Sequence, residues 1–211
     1  MITPKIYDAY FTALLKGDRQ ACIEIVESLL DEGVEIISLY HHLFEKALYE
    51  VGALWERNQI SVAKEHLVTA MTESLLNMVY PHLFKTKPTG EKAVISCAAN
   101  EYHQVGGKMV ADILATAGWD TYFLGANTPT EQMLAFIEET RPDMLGLSLS
   151  IYFNLPALKR EIEAVNSVFP NLDIIIGGQA FKWGEVPSLN TFKNLTYIPS
   201  LEDLKTDLGE S

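Results

Sequence analysis

The sequence is poor in cysteine and in basic residues. Cys22 and Cys97 are the two cysteines among 211 residues. They lie far apart on different predicted elements, so we expect reduced, buried thiols and neither a disulfide framework nor a zinc site. Lys and Arg number 16 against 28 Asp and Glu, which gives a formal net charge of −12. This charge repels nucleic-acid phosphates and no basic stripe offsets it, so we expect no direct nucleic-acid binding.

Long apolar runs are also missing. No segment is long and apolar enough to cross a membrane, and the first residues lack the charged-then-apolar order of a signal peptide. The apolar fraction of 48% is nevertheless ample for packed cores. We therefore expect a cytoplasmic protein without a membrane partner, built as one large domain or two small ones.

A polar stretch with proline and glycine, residues 85–92, divides the chain and is typical of a linker. Residues 1–84 carry apolar positions at helical intervals, which predicts a bundle of four amphipathic helices joined by short connections. Residues 93–211 alternate predicted strands with predicted helices. The expected fold class is therefore α/β: an N-terminal four-helix bundle followed by a doubly wound, Rossmann-like parallel sheet.

The same patterns predict the approximate bounds of each element. Bundle helices are expected near 4–15, 18–31, 35–57 and 61–80. Strands are expected near 93–98, 120–124, 143–149, 173–176 and 195–198. Helices of the sheet domain are expected near 104–117, 130–140, 155–168 and 200–208, with a further one near 179–184. Thr128 before Pro129 predicts the N-cap of the 130–140 helix.

A polar run that contains a histidine, Glu101–Gly106, directly follows the predicted strand near 93–98. Ligands of open α/β sheets bind at the carboxyl ends of the strands, which is where this histidine falls. The spacing E-x-H-x-x-G resembles the cobalamin-binding signature of B12-dependent proteins. The alternative is an ordinary polar loop between a strand and a helix.

The resemblance implies a role for each residue of the run. His103 would ligate the cobalt of cobalamin from its lower face, and Glu101 would hydrogen-bond the far ring nitrogen of that histidine. Gly106 would let the backbone approach the nucleotide tail, because glycine has no Cβ. Gln104 and Val105 complete the predicted binding loop.

Three further pieces resemble other parts of the same signature. Predicted strands end in the hydroxyls of Ser148 and Ser150 and in the pair Gly177–Gly178, which in the family line the slot for the dimethylbenzimidazole tail. Ser150 departs from the family, which usually has leucine there. Asn127 and Thr128 resemble the second loop of the family, which leans on the edge of the corrin.

The bundle carries a second motif, which runs from Trp55 to His66. Trp55 ends one predicted helix, and Glu65 and His66 lie in the first turns of the next. Taken singly, each has a structural alternative: a tryptophan in the core, a glutamate that partners the predicted N-cap Ser61, and a surface histidine.

The arrangement W-x9-E-H, with Val62 between, resembles the helical cap of cobalamin-dependent photoreceptors related to the CarH light-sensing repressors. The resemblance implies that Trp55 covers the upper face of the corrin and that Glu65 and His66 contact the adenosyl group of adenosylcobalamin. Together with Val62, these residues would discriminate the adenosyl cofactor from its methyl analogue. Both halves of that module match, over roughly residues 5–200.

Two departures from that family matter. Its DNA-regulating members carry a DNA-binding domain ahead of the bundle, and we identify none here. The residue after the cap tryptophan is Glu56, where the family has a histidine that captures cobalt after light, so His66 or water is expected at that position instead. The remaining histidines, at positions 41, 42 and 82, lie outside the motifs and are expected to be structural or on the surface.

We therefore expect a non-enzymatic light sensor that binds adenosylcobalamin and signals through a homo-oligomer or a protein partner. The alternative is a corrinoid methyl carrier, a subunit of a methyltransferase system. Such carriers usually read D-x-H-D-I-G-K-N at the loop, from which Glu101, Gln104–Val105 and Gly107 depart. The third alternative is an interaction module that binds no cobalamin.

Overall fold

The computed structural model describes residues 1–183 and 192–208, without the side chains of Trp183 and Asp207. It divides into two compact units, Met1–Leu83 and Phe84–Ser211. The first is helical and the second contains the sheet. The last residue of the helix expected near 179–184 lies outside the described residues.

The helical unit contains four long helical segments, as the hydrophobic pattern predicts. Side-chain caps begin three of them: Thr3 Oγ1 accepts from the Ile6 N–H, Asp18 Oδ1 from the Ala21 N–H and Ser61 Oγ from the Lys64 N–H, at 3.1–3.3 Å. The helices are α1 Pro4–Lys16, α2 Arg19–Asp31, α3 Ile36–Leu39 with α4 Lys46–Glu56, and α5 Val62–Val79, which a short 3-10 turn Tyr80–His82 follows.

The helix expected over 35–57 is not uniform. Residues Tyr40–Glu45 between α3 and α4 form a π-helical segment. This wider turn brings consecutive large side chains, Leu39 with Tyr40 and Leu43 with Phe44, into the core, where all four are fully buried. The buried Glu45 carboxylate accepts from Tyr49 Oη at 2.9 Å and pairs with His41 Nδ1 at 2.6 Å. A hydrophobic pattern read at 3.6 residues per turn does not show such a widening.

Within the residues that the structure describes, the sheet has five parallel strands in the order β2-β1-β3-β4-β5, which confirms the predicted fold class. All five lie within two residues of their predicted positions. They are β1 Lys92–Cys97, β2 Asp120–Gly125, β3 Met144–Ser148, β4 Asp173–Gly177 and β5 Leu195–Tyr197.

Helices cover both faces of the sheet. On one face, Val94, Leu145 and Ile174 share an apolar cluster with α7 Thr130–Thr140 and α8 Leu155–Val168. Alternate strand residues point to the other face, where α6 Val105–Thr116 packs against β1, β2 and β3. The chain also forms the short helices α9 Ala180–Trp183 and α10 Leu201–Asp207, and α10 packs on α6.

This strand order contains a switch point between β1 and β3. The chain leaves β1 toward β2 on one side and leaves β3 toward β4 on the other, so the two following loops diverge. The divergence opens a crevice at the carboxyl ends of the strands, which is where proteins with this topology bind their ligands. The loop that carries His103 follows β1, and the loop that carries Ser150 follows β3. Both therefore border the crevice.

Candidate cobalamin site

Glu101 is the centre of the candidate site. Its side chain is fully buried, and its two oxygens accept four hydrogen bonds. Oε1 accepts from the His103 backbone N–H at 3.0 Å and from His103 Nδ1 at 2.6 Å. Oε2 accepts from the backbone N–H groups of Ser150 and Ile151, both at 2.9 Å. One carboxylate thus joins the loops after β1 and β3.

The protonation state of Glu101 follows from these bonds. Burial opposes the charged form and would raise the pKa of this carboxyl. The hydrogen bonds from His103, Ile151 and Ser150 outweigh burial and lower the pKa of Glu101 to about 2. The group is therefore ionised at neutral pH, and it can accept from all four donors.

His103 is oriented by that carboxylate. Its Nδ1–H donates to Glu101, which in the neutral imidazole leaves the lone pair on Nε2. The side chain is 53% exposed, whereas that of Glu101 is not exposed at all. A buried carboxylate behind a half-exposed imidazole is the arrangement that raises the basicity of a metal-ligating histidine and fixes its direction.

Asparagines tie the loop after β2 into the same network. The Asn100 N–H donates to Asn127 Oδ1 at 3.0 Å, and the Asn127 N–H donates to the Glu101 carbonyl at 3.1 Å. Asn154 Nδ2 donates to the Asn100 carbonyl at 3.0 Å. Asn100 and Asn127 both have positive φ, 66° and 51°, a conformation that asparagine adopts more readily than most residues. Three loops therefore hold one another in place.

The predicted residues Gln104, Val105 and Gly106 lie where α6 begins. Val105 is buried, so its side chain serves the core of this unit. A Cβ on Gly106 would lie 3.8 Å from Ser148 Oγ, an ordinary contact. At Gly107, which the motif reading did not single out, a Cβ would lie 3.2 Å from Phe123 Cε2. The tighter requirement for glycine is therefore at 107, where α6 meets the sheet.

The hydroxyl residues of the motif divide by role. Ser148 is buried at the end of β3, close to the start of α6. Ser150 contributes its backbone N–H to Glu101, a bond that leucine would form equally well. The departure from the family at this position therefore leaves the Glu101 network intact.

Thr128 does not act as the predicted helix cap. Its hydroxyl donates to the Leu124 carbonyl at 3.3 Å, back toward β2. Helix α7 begins at Thr130, and Pro129 is its N-cap with extended backbone and no side-chain bond. The prediction is wrong because the Thr128 hydroxyl is already bonded to β2 and Pro129 stands just outside the helix.

Gly177 and Gly178 are explained by the packing of the chain itself. Gly178 has φ +117°, which side-chain-bearing residues rarely adopt, and a Cβ there would collide with the Leu149 carbonyl. A Cβ on Gly177 would lie 2.9 Å from the Ile198 carbonyl oxygen. Both glycines let neighbouring segments approach at the carboxyl end of β4.

The predicted residues of the helical unit lie around one connection, between α4 and α5. Asn58 has φ 57° and its N–H donates to the Trp55 carbonyl at 2.8 Å, which turns the chain sharply. Trp55 and Val62 are about half exposed, so neither belongs to the bundle core. Glu65 accepts from Thr69 Oγ1 at 3.0 Å and lies 3.6 Å from His66 Nε2.

Sequence reasoning missed Glu161 on α8. This glutamate is 2% exposed; its Oε2 accepts from the Ala99 N–H at 2.9 Å and its Oε1 from Thr130 Oγ1 at 3.5 Å. Burial raises the pKa of Glu161 to about 7 against the lowering effect of those bonds and of Arg160. A signal existed: position 161 falls on the apolar stripe of α8, between Leu158 and Ile162.

Comparison with known proteins assigns a family to both units. Residues 91–187 match a family model described as a B12 binding domain. Residues 6–80 match a second family model with the same description. The two matches support a cobalamin-binding family for the chain. Its sheet unit and its helical unit each contain one of the two B12 binding regions.

Curated relatives fall into two groups. The chain is 35% identical over 91 residues to the HTH-type transcriptional repressor CarA of Myxococcus xanthus, which is 43% of this chain and 31% of that protein. It is 27% identical over 161 residues to the repressor CarH of the same organism, 74% of this chain and 52% of CarH. It is 22% identical over 138 residues to monomethylamine corrinoid protein 1 of Methanosarcina mazei, 64% and 63% of the two chains. The chain thus spans about one third to two thirds of these relatives.

Solved structures confirm the fold. The Methanosarcina barkeri monomethylamine corrinoid protein superposes with a TM-score of 0.83 at 16% identity, over 98% of this chain and 99% of that one. The methanol:cobalamin methyltransferase complex MtaBC of the same organism gives a TM-score of 0.51 at 16% identity, over 100% of this chain and 82% of that one.

The geometry fits the cofactor that the family binds. Cobalt in cobalamin can take an axial nitrogen donor from a protein, and the single oriented imidazole at the switch point is a donor of that type. Within residues 1–183 and 192–208, no cluster of three or more His, Cys, Asp or Glu forms a site for a free metal ion. A search of the same residues finds no helix long and apolar enough to span a membrane.

We predict that Glu101→Gln destabilises the sheet unit by at least about 3 kcal/mol. Placed toward Ser150 and Ile151, the amide nitrogen faces two backbone N–H donors. Placed toward His103, it faces one backbone N–H and forces the imidazole into the other tautomer. Hydrogen bonds to charged groups are worth about 1.5–3 kcal/mol each. Glu163→Gln, an exposed position on α8, is the control and changes stability by no more than about 0.5 kcal/mol. Chemical denaturation of both variants at pH 7 measures the difference.

The pH dependence of that difference has a defined sign. The pKa of Glu101 is lowered from 4.5 to about 2, so its stabilising effect is present above pH 4.5 and is lost as the pH falls toward 2. The stability gap between wild type and Glu101→Gln therefore narrows between pH 5 and pH 3. A gap that stays constant over this range would contradict the assigned ionisation.

Proposed function

We propose that this chain is a cytoplasmic, non-enzymatic light sensor that binds adenosylcobalamin with His103 as the lower ligand of cobalt. The observation that carries the assignment of the lower ligand is the 2.6 Å pairing of His103 Nδ1 with the buried Glu101. Adenosylcobalamin supplies, when bound, a cobalt–carbon bond that light can break. The protein supplies the ligand, its orientation and the contacts around the upper group.

On the lower side, Glu101 keeps His103 in the tautomer that offers Nε2. Rotating the imidazole away from that direction would break a charge-assisted hydrogen bond, which is stronger than a neutral one. The loop is also held from behind, because Cys97 Sγ donates to the His103 carbonyl at 3.8 Å. The following residues are proposed as neighbours of the corrin and its tail: Gln104, Val105, Gly106, Asn127, Thr128, Ser148, Ser150, Gly177 and Gly178.

The upper group is proposed to contact Trp55, Val62, Glu65 and His66 of the helical unit. An indole face suits stacking on adenine, and a carboxylate and an imidazole suit the ribose hydroxyls and the amino group. A methyl group offers none of these partners. The exposure of Trp55 and of His66, whose side chain is 74% exposed, leaves both able to meet a ligand.

The similarity to CarA and CarH, which are named as transcriptional repressors, supports the signalling half of the proposal. Glu56 stands where that family has a cobalt-capturing histidine, so we propose His66 or water as the upper ligand after light. With a net charge of −12 the chain is not suited to contact nucleic acid itself. We therefore propose a homo-oligomer or a protein partner as the output.

A corrinoid methyl carrier is the second candidate. It is supported by the 22% identity to a monomethylamine corrinoid protein and by the near-complete overlap with the fold of another. In that case the same His103 would ligate cobalt, a methyl group would occupy the upper position, and the partner would be a methyltransferase. The two candidates differ in the upper group and share the lower ligand.

Replacing His103 tests the lower ligand. We predict that His103→Ala lowers cobalamin affinity at least tenfold, because it removes the one axial nitrogen that the site offers. The residual complex then has the absorption spectrum of cobalamin without a protein imidazole. His42→Ala, an exposed histidine of the helical unit, is the matched control and keeps the wild-type affinity and spectrum. An unchanged spectrum in His103→Ala would overturn the assignment.

Comparison of two cofactors tests the upper group. We predict that adenosylcobalamin binds more tightly than methylcobalamin and that Glu65→Ala reduces this preference, by about 1–3 kcal/mol if a buried hydrogen bond is lost. Green light is expected to change the absorption spectrum of the adenosylcobalamin complex and its elution on size exclusion. Tighter methylcobalamin binding, with transfer of the methyl group in a partner assay, would favour the carrier instead.

A further inference from the structure

Glu161 contacts the loop that presents His103, although it lies 58 residues away along the chain. Strand β1 ends at Cys97, and the next N–H, of Ala98, still donates to the Ser148 carbonyl of β3 at 2.9 Å. The Ala99 N–H has turned away from the sheet and donates to Glu161 Oε2 at 2.9 Å. The carboxylate of α8 is thus the partner of the first loop N–H beyond the sheet.

The following N–H groups of the loop bond to other loop residues. The Asn100 N–H donates to Asn127, the Glu101 N–H to the Ala98 carbonyl at 2.9 Å, and the His103 N–H to Glu101. Glu161 therefore joins this loop to the middle of α8, whereas Asn154 at the start of α8 bonds the Asn100 carbonyl. A buried carboxylate is a costly residue to place on an apolar helix face, and a hydrophobic side chain there would leave the Ala99 N–H unsatisfied.

We propose that Glu161 is a positioning residue for cobalt ligation, which sets the exit of the His103 loop from β1 through the Ala99 N–H. This inference rests on the proposed role of His103 as the cobalt ligand. Glu161 acts through the backbone and does not touch the ligand residue. Its bond to Ala99 fixes where the loop begins, and the Glu101 network fixes where His103 points.

The surroundings of Glu161 make the bond sensitive to protonation. Burial holds its pKa at about 7, so the carboxyl changes state near neutral pH. Thr130 on α7 is neutral, Arg160 on α8 favours the ionised form, and Cys97 on β1 stays a thiol because burial raises its pKa to about 12. Protonation converts a charge-assisted hydrogen bond to Ala99 into a weaker neutral one.

Two substitutions in the full-length chain test the proposal. Glu161→Leu removes the acceptor, and Glu161→Gln keeps an acceptor oxygen of the same reach without the charge. We expect Glu161→Leu to lower cobalamin affinity about tenfold and to reduce the fraction of cofactor ligated by the protein imidazole. Glu161→Gln is expected to match wild type in both at pH 5.5, where the wild-type carboxyl is protonated. Thr130→Val, which removes the other partner of Glu161 and leaves the Ala99 bond, is the matched control.

A pH profile separates positioning from simple packing. Wild type and Glu161→Gln differ at residue 161 alone, so the ratio of their cobalamin affinities isolates the effect of that residue. At pH 8.5 we expect wild type to bind cobalamin about fivefold more tightly than Glu161→Gln, because the ionised carboxylate makes a charge-assisted hydrogen bond to the Ala99 N–H. At pH 5.5 the carboxyl is protonated and that advantage is lost, so we expect the two proteins to bind cobalamin equally tightly. A ratio that does not change with pH would overturn the proposal, as would a folded Glu161→Leu with wild-type ligation.

The His103 and Glu161 variants distinguish an error in the proposed ligand from an error in the role of Glu161. If His103→Ala leaves the spectrum unchanged, His103 is not the cobalt ligand, and the proposed function and the positioning role of Glu161 are both wrong. If His103→Ala abolishes ligation while the Glu161 variants match wild type at every pH, the ligand assignment stands and the positioning role of Glu161 is wrong. Circular dichroism of each variant checks that the sheet unit is folded.

Discussion

The site depends on one buried carboxylate that accepts four hydrogen bonds. A buried ionised group without hydrogen-bond partners would be destabilising by several kcal/mol. Glu101 remains charged because the donors around it point toward its two oxygens. Two of those donors belong to His103 and two to the loop after β3. The same interaction therefore closes the switch-point loops and orients the imidazole. A substitution of Glu101 therefore changes both the orientation of the His103 imidazole and the stability of the two loops.

The frame behind this carboxylate is built by close backbone approaches. Gly107 lets α6 press on the sheet, and Gly178 lets the chain after β4 pass the Leu149 carbonyl. These approaches place the ends of β1, β3 and β4 at one edge, where the loops meet. Light sensing and methyl transfer are both compatible with such an edge, because both need one oriented imidazole below cobalt. The residues proposed to separate them, Trp55, Val62, Glu65 and His66, belong to the other unit.

Much of this architecture was predictable from sequence, because it depends on patterns that repeat along the chain. Strand and helix alternation predicted the parallel sheet, and the resemblance of the Glu101–Gly106 run to the cobalamin-binding signature implied the pairing of Glu101 with His103. Other features depend on contacts between distant segments. The π-helical turn at Tyr40–Glu45 depends on core packing, the N-cap at Thr128 was lost to a bond with Leu124, and the partner of Glu161 is 62 residues away. No local pattern contains that information.

The central claim is that a protein imidazole, held by Glu101, ligates cobalt. Electron paramagnetic resonance of the cobalt(II) form of the bound cofactor measures this directly, because a nitrogen ligand splits the high-field lines. Protein labelled with 15N-histidine is predicted to split each line in two, whereas unlabelled protein splits each line in three. Three-fold splitting in both samples would show that the cofactor's own base remains on cobalt and would contradict the account.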